Sequence, residues 1–220
     1  MPFLCTMKRL VLISGIVIIL QSCAPSLSQY QTAATLGEGN KSNSIILEHT
    51  FENLSNPIDL SVGYMHTNGV SNDLDLGFGF GLNNHLNIAG GFHVKRSIVK
   101  DKFSINFPVL FKRIDETFNL LGVIEYNDED NIRVDITPTM LYTYNSNNKS
   151  VKNTFNLQYV IQISAFDVFN NAIYLSHNWE IKTKKLYIYP EIGIQMTNDQ
   201  DPIMKAGIGF SLKNIKLLEF

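Results

Sequence analysis

The sequence predicts an all-β fold, a closed antiparallel up-and-down transmembrane β-barrel of about 12 strands, with roughly 10 or 8 as the alternatives. Three observations predict it. Apolar residues recur at every second position in segment after segment. The residues between them are mostly Gly, Ser, Thr, Asn and Gln, which suit a crowded barrel interior better than open water. No long apolar run follows residue 22, so helices cannot carry the chain across a bilayer and only a closed barrel can.

The chain opens with a targeting signal. Lys8 and Arg9 form a basic start, and Leu10 to Leu20 is an unbroken apolar run. That run is shorter than the about 20 residues of a spanning helix but suits a signal core. Met7 opens a complete signal of its own, MKRLVLISGIVIILQSC, and is the expected start. The run ends in Leu20-Gln21-Ser22-Cys23. These residues resemble the lipobox of bacterial lipoproteins, with Gln21 departing from the usual small residue. The resemblance implies cleavage before Cys23 and acylation of its thiol. Two or three acyl chains anchor stably where one is marginal. Cys5 falls in the signal, so the expected mature chain has neither a free thiol nor a disulfide. No acidic cluster follows Cys23, and the anchor is expected to face the periplasm.

The expected organisation is a signal over 1–22, a lipidated tether over 23–43 and a barrel over 44–220. Removing Lys8 and Arg9 from the 18 basic residues leaves 16 against 20 acidic ones, and no basic stripe is present. Nucleic-acid binding therefore has no electrostatic footing. Charged residues are 17% of the chain, against about 25% in soluble domains, which favours a surface that meets lipid.

The clearest strand is Asp73 to Asn83. Leu74, Leu76, Phe78, Phe80 and Leu82 share one face, opposite Asp75 and three glycines. The pattern continues through Leu86 to Lys95, Phe103 to Phe111, Ile132 to Tyr144, Phe155 to Ser164, Ile173 to Lys182, Leu186 to Met196 and Met204 to Leu212. Weaker strands are Ile45 to Asn53, Ile58 to Thr67 and Thr117 to Tyr126. An even strand number then calls for one more, drawn from Tyr30 to Asn40, with the first visible strand descending. Ser55 to Pro57, Asn83-Asn84 and Thr183-Lys184 are read as short turns at one mouth. Pro108, Pro138 and Pro190 inside strand patterns each imply a bulge or a local break. The apolar rows are expected to face lipid, with Tyr126, Tyr142, Tyr144 and Trp179 as interfacial girdles. A soluble lipid-anchored barrel binding a hydrophobic ligand is the rival reading, with the same rows turned inward. His49, His66 and His177 fall on the outward face in this register.

Leu20 to Cys23, the segment Thr32-Ala33-Ala34-Thr35-Leu36-Gly37-Glu38-Gly39 and the serial strands after it together resemble small outer-membrane β-barrel lipoproteins of Gram-negative bacteria. The likeness implies an outer-membrane location, lipid and the barrel-assembly machinery as partners, and no reaction. Phe220 is similar to the terminal aromatic that such machinery reads, with Asn214 and Lys216 departing from that pattern.

Catalytic chemistry is largely absent from the sequence, and no enzyme activity, cofactor or metal is expected. Gly77-Phe-Gly-Phe-Gly81 has its glycines two apart inside a strand, unlike a nucleotide loop. Asp73-x-Asp75 and Asp199-x-Asp201 do not complete a calcium loop. Ser176, His177 and Glu180 bring hydrolase residue types together, but adjacent strand residues point to opposite faces. The candidate site is a polar lumen network of His93, Lys95, Glu125, Arg133, Asp135, Glu180, Glu191 and Lys205. It reads either as ion pairs closing a narrow barrel or as a path for small solutes.

Overall fold

The computed structural model describes residues 30–51, 59–83, 88–114, 131–146, 150–164, 170–184, 186–197 and 202–213. The signal, Cys23, Glu125, Tyr126, Asp199, Asp201 and Phe220 lie outside them. Among the described residues the regular structure is all strand. β1 is Lys41–Phe51, β2 Asp59–Gly69, β3 Leu74–Asn83, β4 Ile88–Val99, β5 Phe103–Ile114 and β6 Asn131–Ile136. β7 is Thr139–Asn145, β8 Val151–Ser164, β9 Asn170–Lys182, β10 Tyr187–Thr197 and β11 Ile203–Lys213. Consecutive strands pair antiparallel, except that β6 and β7 each pair with β5 and β8, and β1 pairs with β11, so the sheet closes without an edge.

β6 and β7 are two halves of one stave. Both lie between β5 and β8, in a single register: Val109 faces Ile136 and Asn106 faces Thr139, while Ile136 faces Ile161 and Thr139 faces Gln158. The eleven strands therefore make ten staves, fewer than the favoured twelve and equal to one stated alternative. β5 is bonded to β4 on one side and to β6 and β7 on the other. The expected strand Thr117 to Tyr126 lies outside the described residues. Tyr30 to Asn40, drawn on for a twelfth stave, is not a strand; β1 already has both of its neighbours.

The extra expected stave also inverted the turns. β1 starts and β11 ends at one mouth, the near mouth, together with the connections 70–73, 100–102, 146–150 and 183–186. The far mouth holds the ends of β1, β3, β5, β8 and β10 and the starts of β2, β4, β6, β9 and β11. Thr183-Lys184 is thus at the opposite end from Asn83, while Ser55 to Pro57 lies outside the described residues. At the near mouth, the Ser71 hydroxyl donates to Asp73 across 2.6 Å and holds that exposed carboxyl below its usual pKa.

The prolines interrupt the ladder without shifting it. Pro138 lacks a donor, yet its carbonyl accepts from Tyr159 N at 3.0 Å, and Thr137 N donates to Pro108 O at 3.0 Å. Side chains keep alternating through the gap, so no bulge is needed. Pro190 likewise sits in register opposite Ile208. The register shift lies elsewhere, between Ser97 and Val99.

The apolar rows face out. Phe78 and Phe80 are 52% and 57% exposed, and Ile88, Phe92, Phe111, Met140, Phe155 and Met204 are at least half exposed. Asp75, Ser104, Asn106, Thr154 and Asn178 are fully buried within the same closed sheet. This is the reverse of a soluble barrel, whose rows would be shielded from water. His49, His66 and His177 project outward, as their sequence parity requires.

Candidate functional site

The lumen is filled partly by side chains and partly by main chain. The segment preceding β1 turns back at Gly37 and Gly39, whose φ angles of 80° and 75° suit glycine. Gly39 N donates to Gly69 O at 2.9 Å, and Gly69 N donates to Asn40 O at 2.8 Å. A Cβ on Gly69 would collide with the Gly37 carbonyl, so this close approach requires glycine. Beyond that turn, residues 36 to 30 run inside the barrel, from the near mouth inward. Tyr30, Gln31, Thr32 and Ala33 are all buried, Ala33 completely.

The wall binds this segment mainly through its backbone. Leu36 N donates to both oxygens of Asp75 (3.0 and 3.2 Å), and Ala33 N donates to Thr143 Oγ1 at 2.8 Å. Lys95 Nζ donates to the carbonyls of Ala34 at 2.8 Å and Thr32 at 3.4 Å. Asn178 Nδ2 donates to Gln31 O at 2.9 Å. Buried main chain needs such partners, because an unpaired peptide group costs roughly 1–3 kcal/mol. Deepest in the lumen, the Tyr30 ring packs with Ile46, Met65 and Tyr189, and its hydroxyl donates to Glu48 at 3.3 Å. Gly207 leaves the space that hydroxyl occupies; a Cβ there would overlap it.

Seven of the eight expected lumen residues fall among the described ones, and they divide into three levels. Near the mouth of the termini, Lys95 pairs with Asp75 at 3.1 Å, and Glu180 pairs with Lys152 at 3.5 Å while accepting from Tyr189 at 2.8 Å. His93 lies beside Thr67, with Nε2 3.3 Å from its hydroxyl. At mid-height Glu191 accepts from Tyr174 at 3.4 Å, and Lys205 lies over the Tyr174 ring. Toward the far mouth Asp135 is held by Lys112 at 2.7 Å and Arg133 at 2.8 Å. These groups are spread along the height of the barrel rather than gathered at one level.

Among the described residues, four lumen charges were missed by the sequence reading. Lys112 and Lys152 share parity with inward neighbours and were legible. Glu48 follows Ser42, Ser44 and Ile46 on the inward face of a weakly patterned strand. Asp75 was read as half of an Asp-x-Asp pair; the structure splits that pair, with Asp73 exposed in the turn and Asp75 buried against Lys95. Ser176 points inward and bonds Asn156, whereas His177 points outward and stacks on Phe155. Their opposed directions rule out a nucleophile–base pair between them. Among the described residues no group of His, Cys, Asp and Glu is placed to hold a metal ion.

A closed sheet with an apolar exterior and a paired, polar interior defines a transmembrane β-barrel, here with its lumen occupied by its own chain. Solved structures with likeness to it include de novo designed transmembrane β-barrels, at 13% identity, covering 80% of this chain and 96% of that one, with a TM-score of 0.35. The N-terminal β-barrel domain of Pseudomonas aeruginosa OprF is 10% identical, covering 80% of this chain and 99% of that one, with a TM-score of 0.32. Ail, the attachment invasion locus protein of Yersinia pestis, is 9% identical over the same shares, with a TM-score of 0.30. No protein-family model and no curated protein matches the sequence.

Proposed function

We propose that this chain is an outer-membrane barrel lipoprotein, anchored through Cys23, with a structural or binding role rather than an enzymatic one. The observation that carries the membrane reading is the exposure of the Phe, Leu and Ile rows around a wall whose polar side chains turn inward. Such a surface is unstable in water and stable against acyl chains. An aromatic track supports an interface near the mouth of the termini: Tyr144, Phe155, His177 and Trp179 stack in sequence across β7, β8 and β9. In outer-membrane barrels the shorter turns face the periplasm, which supports a periplasmic near mouth. The Leu20 to Cys23 motif supports the lipid anchor, and the barrel-assembly machinery is the partner that would insert such a fold. With the lumen occupied, the resting barrel offers no open path.

The test is flotation and detergent dependence of a Cys23→Ala form. A transmembrane barrel floats with phosphatidylcholine vesicles after alkaline wash and aggregates when detergent is removed. A form that stays monodisperse without detergent would refute the membrane reading. Mass spectrometry of the parent, expected to carry acyl chains on Cys23, tests the anchor separately.

A further inference from the structure

We infer that residues 30–36 are a withdrawable plug, which keeps a polar lumen shut to small ions. The inference rests on the membrane reading above.

The contacts just described are those of a receptor for an extended backbone. Two peptide N–H groups are accepted by Asp75 and Thr143, and three peptide carbonyls receive Lys95 and Asn178. The segment contributes no charge of its own from Tyr30 to Leu36. Its removal therefore leaves no stranded ion. Lys95 keeps its salt bridge to Asp75, and the wall is held by a closed ladder that the plug does not join. The wall is thus complete without the segment, in contrast to a buried core strand. The deepest contact is a single 3.3 Å hydrogen bond from Tyr30.

Charge on the vacated path is set by the paired clusters. Asp75 pairs with Lys95 and Glu180 with Lys152, whereas Asp135 alone faces both Lys112 and Arg133. At the Tyr30 level, Glu48 and Glu191 lie beside the Tyr30 and Tyr174 hydroxyls, and Lys205 lies over the Tyr174 ring. Among the described lumen groups these five acids and five bases offset one another, so the path that opens is polar without a preferred sign of ion.

The experiment is a planar-bilayer recording of the full chain and of an Ala33→Pro/Leu36→Pro double variant. Proline deletes both main-chain donors of the plug and leaves every wall residue intact. The parent is expected to be silent. The variant is expected to show discrete steps in potassium chloride. A synthetic peptide spanning Gln31 to Glu38, added on either side, is expected to close those steps. A variant that floats with vesicles but stays silent overturns the inference, as does a parent that conducts like the variant. Protein that fails to float sinks the membrane reading and this inference with it.

Discussion

Lys95 Nζ lies 3.1 Å from Asp75 Oδ2 on the facing strand, and the pair grips the N-terminal segment from both of its hydrogen-bonding sides: the carboxylate takes the Leu36 amide while the ammonium gives to the Ala34 and Thr32 carbonyls. Both side chains are buried. Each partner therefore depends on the other for its charge and on the segment for its remaining hydrogen bonds.

Lys95→Met should destabilise the barrel by about 3–5 kcal/mol, because it strands the Asp75 carboxylate in a dry site. Lys95→Met/Asp75→Leu should recover much of that loss, since removing both ions removes the desolvation cost as well. Urea unfolding in phosphatidylcholine vesicles measures both. Equal losses in the single and double variants would show that the pair matters only as a holder of the plug.

Gly69→Ala tests the turn that admits the segment. The added methyl collides with the Gly37 carbonyl, and β2 must yield or the turn must move. Overpacking of this kind costs about 1–3 kcal/mol. Because β2 is bonded on both sides, the turn is the part that gives. The expected readout is faster hydrogen exchange at Leu36 and Gly39, with the amides of β2 and β3 unchanged. Uniformly faster exchange across the barrel would contradict it.

Phe80→Arg and Ile98→Arg separate a lipid belt from a water-facing surface. Both side chains are more than half exposed. Phe80 lies well inside β3, whereas Ile98 is one residue from the end of β4. Against lipid, arginine costs roughly 2–4 kcal/mol at the midplane and about 0–1 near an interface. Unfolding in vesicles should therefore show a large loss for Phe80→Arg and a small one for Ile98→Arg. Similar, negligible losses would place both in water.

The wall was legible because side-chain period two survives even where hydrogen bonding fails. Pro138 removes a ladder donor, but Ile136, Pro138 and Met140 still share one face, and the sequence therefore gave the right side for Asp135 and Thr139. Strand number was not legible, because alternation alone does not say whether a segment finds a neighbour: the closure of β5 between β4 and β6 is a property of the whole ring. The plug was hidden for a related reason. Thr32-Ala33-Ala34-Thr35 is small and polar, as a solvated tether would be, and the same composition fits a crowded lumen. The glycines at 37, 39 and 69 were the available signal, since a positive φ beside a strand start marks a chain reversal. Lumen charges such as Glu191 and Lys205 followed from parity, whereas their sorting into separate levels depends on stagger between strands.

Trp179 is the chain's single tryptophan, so its fluorescence reports one depth without mutation. It lies three positions before the end of β9 at Lys182, on the outward face, with its ring edge-on to His177 at 4.4 Å. A strand rises about 3.3 Å per residue and tilts by roughly 40° in a barrel, which puts the indole on the order of 8 Å from the strand end. That is the headgroup level, where tryptophan is favoured because its ring is apolar and its N–H seeks a partner. Phospholipids brominated near the carbonyl should therefore quench Trp179 more strongly than those brominated toward the chain end, and aqueous iodide should quench it weakly. Strong iodide quenching with no response to any brominated lipid would put this face in water and remove the interface from the near mouth. Maximal quenching by deep bromines would instead keep the barrel in the bilayer but shift its belt toward the turns at 146–150 and 183–186, and Ile98→Arg would then cost as much as Phe80→Arg.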